Sequence, residues 1–184
     1  MECKIEISAR HIHLSVDDYS LLFGNEKPKE AKELSQHDIA CEQTVTVVGQ
    51  KTVFNKVRVL IPFRNQSQLE ISQTDAVNLG IPAPLRLSGD LPGETIKIIG
   101  PEGTIEKDIA IVAKRHLHLN PDEAKSLCLN DSDTIKLKIS GERHLVFENI
   151  IVRIGDHFTR AVHIDTDEGN AAGITGETLG EIII

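Results

Sequence analysis

A chain of 184 residues with 28 acidic against 20 basic side chains, a formal charge of −8, can bury one ordinary core or two small ones but offers no broad cationic surface for nucleic acid. Aromatic residues make up only 3% of the chain and tryptophan is absent, which removes base-stacking platforms and leaves Ile, Leu and Val to build the interior. No apolar stretch approaches the roughly 20 residues that span a bilayer. The three cysteines, Cys3, Cys41 and Cys128, form no CxxC pair or framework, so the expected setting is the reducing cytosol, with no membrane.

Ile5 and Ile7 alternate with polar neighbours, so the chain opens on a strand, without a signal peptide, that leads into Arg10-His11-Ile12-His13. Ser15 caps a short helix with Asp17 and Asp18 in its first turn, where the helix dipole favours carboxylates, and Gly24 stops it. Residues 25–32 read as a charged loop. Strands are predicted at 44–48 and 56–61, the second ending in Pro62 and the polar turn Arg64-Asn65-Gln66-Ser67, after which a further strand carries Glu70. Residues 74–79 predict a helical turn closed by Gly80, followed by an extended, Pro- and Gly-punctuated segment. Strands at 95–99 and 105–112 flank Pro101-Glu102-Gly103, and the latter delivers Arg115-His116-Leu117-His118. Asn120 caps a second helix with Pro121 at its first position. Strands at 134–139, 145–154 and 161–164 follow, the last carrying His163. Many short strands with few short helices predict a mainly β protein: two similar β-barrel domains, internally duplicated, at about 1–92 and 93–184, with strands free to exchange between them.

The duplication is written in the residues. Arg10-His11-Ile12-His13-Leu14 returns as Arg115-His116-Leu117-His118-Leu119, and Phe54-Asn55-Lys56-Val57-Arg58-Val59 aligns with Phe147-Glu148-Asn149-Ile150-Ile151-Val152. Continuing that second alignment sets Glu70-Ile71 against His163-Ile164. A His-x-His pair on a strand turns both imidazoles to one face, because side chains alternate with period two. Each half therefore offers two histidines and one later ligand: His11, His13 and Glu70, then His116, His118 and His163. Three protein ligands are the number of an open, catalytic metal site, whereas a closed structural site takes four. His37, His144 and His157 have no such partners and read as surface or loop residues.

Taken together, these motifs resemble the phosphate propanoyltransferases, the zinc-dependent phosphotransacylases associated with propanediol utilisation. The resemblance runs from Ser8 to about Ile174. It is carried by Ser8-Ala9-Arg10-His11-Ile12-His13-Leu14-Ser15, Val57-Arg58-Val59-Leu60-Ile61-Pro62-Phe63-Arg64, Ser72-Gln73-Thr74-Asp75-Ala76, Leu79-Gly80-Ile81-Pro82-Ala83-Pro84-Leu85-Arg86, Ser88-Gly89-Asp90 and His163-Ile164-Asp165-Thr166-Asp167-Glu168. It implies two β-barrel domains with a two-zinc site between them, acyl-coenzyme A and phosphate as substrates, and a homodimer. The two histidine-containing triads match the ligands of the two zinc ions, and Arg64 matches the phosphate-binding arginine. Ser8, Lys32, Arg58, Leu60 and Asn170 match positions that resemble the family's coenzyme A contacts.

Two departures stand out. Ile61 replaces the glycine associated with the position before Pro62, which could shift the turn presenting Arg64, and Gln36-His37-Asp38 stands where Gln-Pro-Gly is associated with the family. No shell-directing amphipathic extension precedes the first strand, which favours a free cytosolic enzyme. Chemically, Arg64 offers a planar donor fork to phosphate while a metal polarises the thioester carbonyl. A covalent route through Cys41 or Cys128 is the weaker chemical alternative. Asp165, Asp167 and Glu168 read equally as orienting partners of His163 or as a helix cap, and Arg10 and Arg115 as partners of acidic neighbours or of ligand phosphates. The competing functions are a metal-dependent hydrolase, for which the chain is short and strand-rich, and a non-catalytic metal-binding or assembly relative, which would not need Arg64.

Overall fold

The computed structural model describes residues 1–184. In chain order they form β1 (Glu2–Ser8), β2 (His11–His13), α1 (Val16–Phe23), β3 (Glu30–Glu33), a 3₁₀ turn at Ser35–His37, β4 (Ile39–Val48), β5 (Val53–Ile61), β6 (Gln68–Ile71), α2 (Gln73–Leu79), β7 (Leu85–Arg86) and β8 (Glu94–Ile99). These are followed by β9 (Thr104–Ala113), β10 (His116–Leu119), α3 (Pro121–Ser126), β11 (Thr134–Ile139), β12 (Leu145–Ile154), β13 (Ala161–Asp165), α4 (Thr166–Ala171) and β14 (Thr178–Ile183). The mainly β, duplicated architecture expected from the sequence is present. One six-stranded ring closes in the order β4, β5, β2, β6, β9, β8, with β3 and β7 on its margins. The other closes in the order β11, β12, β10, β13, β1, β14. The two orders correspond strand for strand.

That correspondence contains an exchange. The chain divides into two compact units, Arg10–Ala113 and Met1–Ala9 with Lys114–Ile184. Strand β1 runs towards β2 in sequence, yet it pairs with β13 and β14; β9 runs towards β10 and pairs with β6 and β8. The sequence expectation of a cut at 92/93 therefore needs correction, because residues 92 and 93 lie within the Arg10–Ala113 unit, just before β8. Local periodicity finds a strand but does not reveal its long-range partner.

Two further elements differ from expectation for physical reasons. Residues 30–32, the end of the segment 25–32 read as loop, join Glu33 in the edge strand β3, whose four residues Glu30–Glu33 are all exposed, so no apolar alternation announces it. Strand β14 was not foreseen, since Gly180 occupies one of its inward positions. A Cβ there would lie 2.6 Å from Leu137 Cδ1 and 2.9 Å from Ile5 Cδ1, so the neighbouring side chains already fill the space.

Each barrel is packed with aliphatic side chains. Ile12, Leu14, Val59 and Leu69 are fully buried in one; Leu117, Leu119, Ile150 and Val162 in the other. Burial of each such side chain is worth roughly 1.5–3 kcal/mol. Because these residues point inward, the alternate positions His11, His13, His116 and His118 face out from the barrel wall.

The helices repeat as well. Ser15 and Asn120 cap α1 and α3, accepting from Asp18 N and Glu123 N. Ser72 and Asp165 cap α2 and α4, each in a reciprocal capping box, with Asp75 and Glu168 respectively. Arg10 reaches Asp75 at 2.6 Å and lies over the Phe54 ring; Arg115 reaches Glu168 at 2.7 Å and lies over the Phe147 ring. Both arginines thus partner acidic residues, and Asp165 and Glu168 serve as cap residues.

Candidate metal centres

Strand β2 places His11 opposite Glu70 of the antiparallel β6 and opposite Arg58 of the parallel β5. Directly paired residues share a face, and His13 joins them by the two-residue alternation. The potential ligand atoms of His11, His13 and Glu70 all lie within 4.8 Å of one another. His11 Nε2 is 3.7 Å from Glu70 Oε2.

Electrostatics prepares these groups as ligands. Burial, reinforced by the Arg64 charge, pushes the His13 imidazole down to about 2, so its nitrogens are neutral near pH 7. Burial alone would raise Glu70, but His11, His13, Ser88 and Arg64 outweigh it and hold the carboxyl down at about 2. His13 Nδ1 is buried without a hydrogen-bond partner, an orphan that a ligand or water would satisfy. The set of two imidazoles and one carboxylate suits zinc, with one coordination position left open.

Arg64 is fastened to this triad. Its Nη2 lies 2.7 Å from His13 Nε2, its Nη1 donates to Gln68 Oε1 at 3.1 Å and Ser88 Oγ at 2.9 Å, and Nη1 is 3.6 Å from Glu70 Oε1. Ser88 in turn donates to Glu70 Oε1 at 2.5 Å, and Gly89 N donates to Gln68 Oε1 at 2.9 Å. The backbone holds the arginine too, since Arg64 N donates to Leu14 O at 3.0 Å. None of residues 61–64 has a positive φ, so the turn does not require glycine at position 61, where the Ile61 side chain packs against the core. The second departure does carry strain: Gln36 and His37 have φ of 60° and 61°, uncommon for two successive non-glycine residues.

The other unit repeats the construction with three imidazoles. His116 of β10 pairs with His163 of the antiparallel β13, and the ligand atoms of His116, His118 and His163 lie within 4.8 Å of one another. His116 Nδ1 is 2.8 Å from Lys114 O, an arrangement in which Nδ1–H donates and Nε2 keeps its lone pair for a ligand role. Burial, with His116, His163 and Arg153, pushes His118 down to about 2, and its Nδ1 is a second buried orphan. A three-imidazole set also fits zinc.

The remaining expected residues fall into two groups. Lys32, on β3, pairs with Ala40, Ala40 with Leu60, and Leu60 with His13, which makes one continuous row beside the first triad. Arg58 is on the same strand as Leu60, and its Nη1 donates to Cys41 O at 2.6 Å. In the other unit, Ser8 pairs with Asp165, the cap of α4, and exposed Asn170 lies within that helix. Cys41 has no exposed surface and burial pushes its thiol up, so it does not present a nucleophile. His37, His144 and His157 are exposed, as expected.

Gln68 and Ser88 are site residues that the sequence reading did not single out for a role. Gln68 stands two residues before Glu70 on one strand, so alternation could have found it. Ser88 reaches Glu70 only through the fold.

The sequence matches a family model described as phosphate propanoyltransferase over residues 4–175. It is similar to the phosphate propanoyltransferase of Levilactobacillus brevis, with 41% identity over 182 residues, 97% of this chain and 88% of that protein. The enzyme of the same name from Salmonella arizonae is 47% identical over 171 residues, 91% of this chain and 81% of the relative. That of Thermotoga maritima is 43% identical over 183 residues, covering 95% and 86%.

Proposed function

The chain belongs to the phosphate propanoyltransferase family and is an acyltransferase, and we propose that it moves a short acyl group, propanoyl or acetyl, between coenzyme A and inorganic phosphate, using two zinc ions per chain. The observation that supports this reading best is the anchoring of Arg64 to a buried His, His, Glu triad by His13, Gln68, Ser88 and Glu70. A fixed guanidinium beside an open metal position provides for a multiply charged oxyanion.

In the direction of acyl phosphate formation, a phosphate oxygen forms a bond to the thioester carbonyl carbon. The carbon–sulfur bond breaks, and the proton released by phosphate accompanies the coenzyme A sulfur. Arg64 binds the phosphate oxygens with a planar donor pair, and Gln68 and Ser88 hold that pair in one orientation. Zinc bound by His11, His13 and Glu70, or by His116, His118 and His163, supplies Lewis acidity for the carbonyl and for the oxyanion that develops from it. Lys32, Arg58 and Leu60, with Ser8 and Asn170, contribute the coenzyme A contacts. Exposed Lys32 and Arg58 suit the ligand's phosphates, and Leu60 continues the row from His13.

We place the enzyme in the cytosol. All three thiols are unpaired, with Cys3 and Cys41 buried, which fits a reducing compartment, and no helix is long and apolar enough to cross a membrane. The test is product identity. Incubation with propanoyl-coenzyme A and phosphate should give propanoyl phosphate by mass spectrometry with the zinc-loaded protein and none after chelation, with recovery when zinc is restored. Equal product from the metal-stripped protein would refute the assignment.

A further inference from the structure

Each α-helix of the chain carries an acidic residue at its third position, and α1 is the one whose acid is not closed on its own cap. In the other three, cap and acid satisfy each other: Ser72 N donates to Asp75, Asn120 N to Glu123 and Asp165 N to Glu168. In α1 half of this box is present, since Asp18 N donates to Ser15 Oγ at 3.2 Å. Ser67 is spliced into the other half. Its Oγ accepts from Ser15 N at 2.9 Å and donates to Asp18 Oδ2 at 2.6 Å.

The spliced residue belongs to the turn that begins at Arg64. Asp18 is 1% exposed and Ser67 2%, and a buried carboxylate costs stability unless it is paired. Burial would raise Asp18, but Lys107 Nζ of β9, 2.6 Å from Oδ1, together with Ser67 and Ser15, holds it below the usual carboxylate range. Ser67 is followed by Gln68, whose Oε1 accepts from Arg64 Nη1 at 3.1 Å. Neighbouring residues of an extended chain face opposite ways, so Ser67 meets α1 while Gln68 meets the arginine. The start of α1 also holds the front of the turn: Arg64 N donates to Leu14 O at 3.0 Å, and the Phe63 ring lies 4.9 Å from that of Tyr19.

We propose that Asp18 and Ser67 are positioning residues for Arg64, fixing the 64–67 turn against α1 so that the guanidinium meets phosphate in one orientation. This rests on the reading of Arg64 as the phosphate-binding residue. Neither side chain touches the substrate. An acid that would otherwise finish a helix cap is diverted to the far end of the substrate-binding turn, whereas Glu123 at the corresponding place in the repeat closes its own box.

The experiment compares zinc-loaded wild type with Ser67→Ala, Asp18→Ala and Asp18→Asn, measuring KM for phosphate and for propanoyl-coenzyme A separately. Ser67→Ala and Asp18→Ala should raise KM for phosphate about 10–100-fold, with KM for the thioester and zinc content unchanged. Asp18→Asn should recover most of the loss, because its amide oxygen still accepts from Ser67. Urea unfolding of Ser67→Ala should stay near wild type, since Asp18 is then released to close the box on Ser15 N; this variant carries the test even if Asp18→Ala does not fold. An unchanged phosphate KM in Ser67→Ala, or equal rises in both KM values, would overturn the positioning role. A wild type that turns over the thioester without needing phosphate would overturn the reading of Arg64 and this assignment with it, a result distinct from failure of the positioning role alone.

Discussion

Arg64 Nη2 and His13 Nε2 stand 2.7 Å apart, so the arginine assigned to phosphate is in direct contact with an imidazole assigned to metal. On the proposed function, this contact would join phosphate binding to the first metal centre without an intervening residue. It also predicts a selective defect. Arg64→Ala should lower kcat/KM for phosphate by about 10²–10³, in line with loss of a single donor to a developing oxyanion, while zinc content stays at two per chain. Arg64→Lys should recover little, because an ammonium cannot reproduce the planar fork held by Gln68 and Ser88. Steady-state kinetics with metal analysis on the same samples checks both.

Ser88→Ala removes the hydroxyl that donates to Glu70 Oε1 and accepts from Arg64 Nη1. The expected outcome is a 10–100-fold weaker hold on zinc at the first centre, with the second unaffected. Competition against a graded series of chelators would show one weakened ion and one unchanged.

How far these residues were legible in the sequence depended on range. His11 and Glu70 were found because strand alternation and the internal repeat are local signals, and the antiparallel β2–β6 register then joined them. The caps at Ser15 and Asn120 were legible for the same reason. By contrast, the pairing of β1 with β13, the reach of Ser88 to Glu70 and the contact of Glu6 with His163 all depend on contacts between residues distant in sequence. A charged strand such as β3 lacked any alternation to read.

Acid should destabilise the metal-free protein over a definite range. His13 and His118 titrate at about 2 in the folded state, below the ordinary imidazole value of 6.5, so the unfolded chain binds protons that the folded chain refuses. The stability they contribute is fully present above 6.5 and falls as pH drops through the interval down to about 2. Glu70 adds a loss of the same sign from its ordinary 4.5 down to about 2. Urea unfolding between pH 7 and 5 should therefore lose stability with a slope approaching two protons, about 1.4 kcal/mol per pH unit for each. A flat profile would contradict the neutral buried imidazoles.

The core between the paired histidines should be sensitive to truncation. Leu117 has no exposed surface and separates His116 from His118. Leu117→Ala is expected to cost about 2–5 kcal/mol, measurable by chemical denaturation of the metal-free protein, because the surrounding barrel can close the cavity only in part.

The central claim is that phosphate is the acyl acceptor at a zinc-dependent site. Its most direct test is free thiol release from propanoyl- and acetyl-coenzyme A by the zinc-loaded protein, with and without phosphate. The account predicts release that requires phosphate and disappears in Arg64→Ala. Equal release without phosphate would show a hydrolase, and no release from a protein holding two zinc ions would show a non-catalytic relative; either result contradicts it.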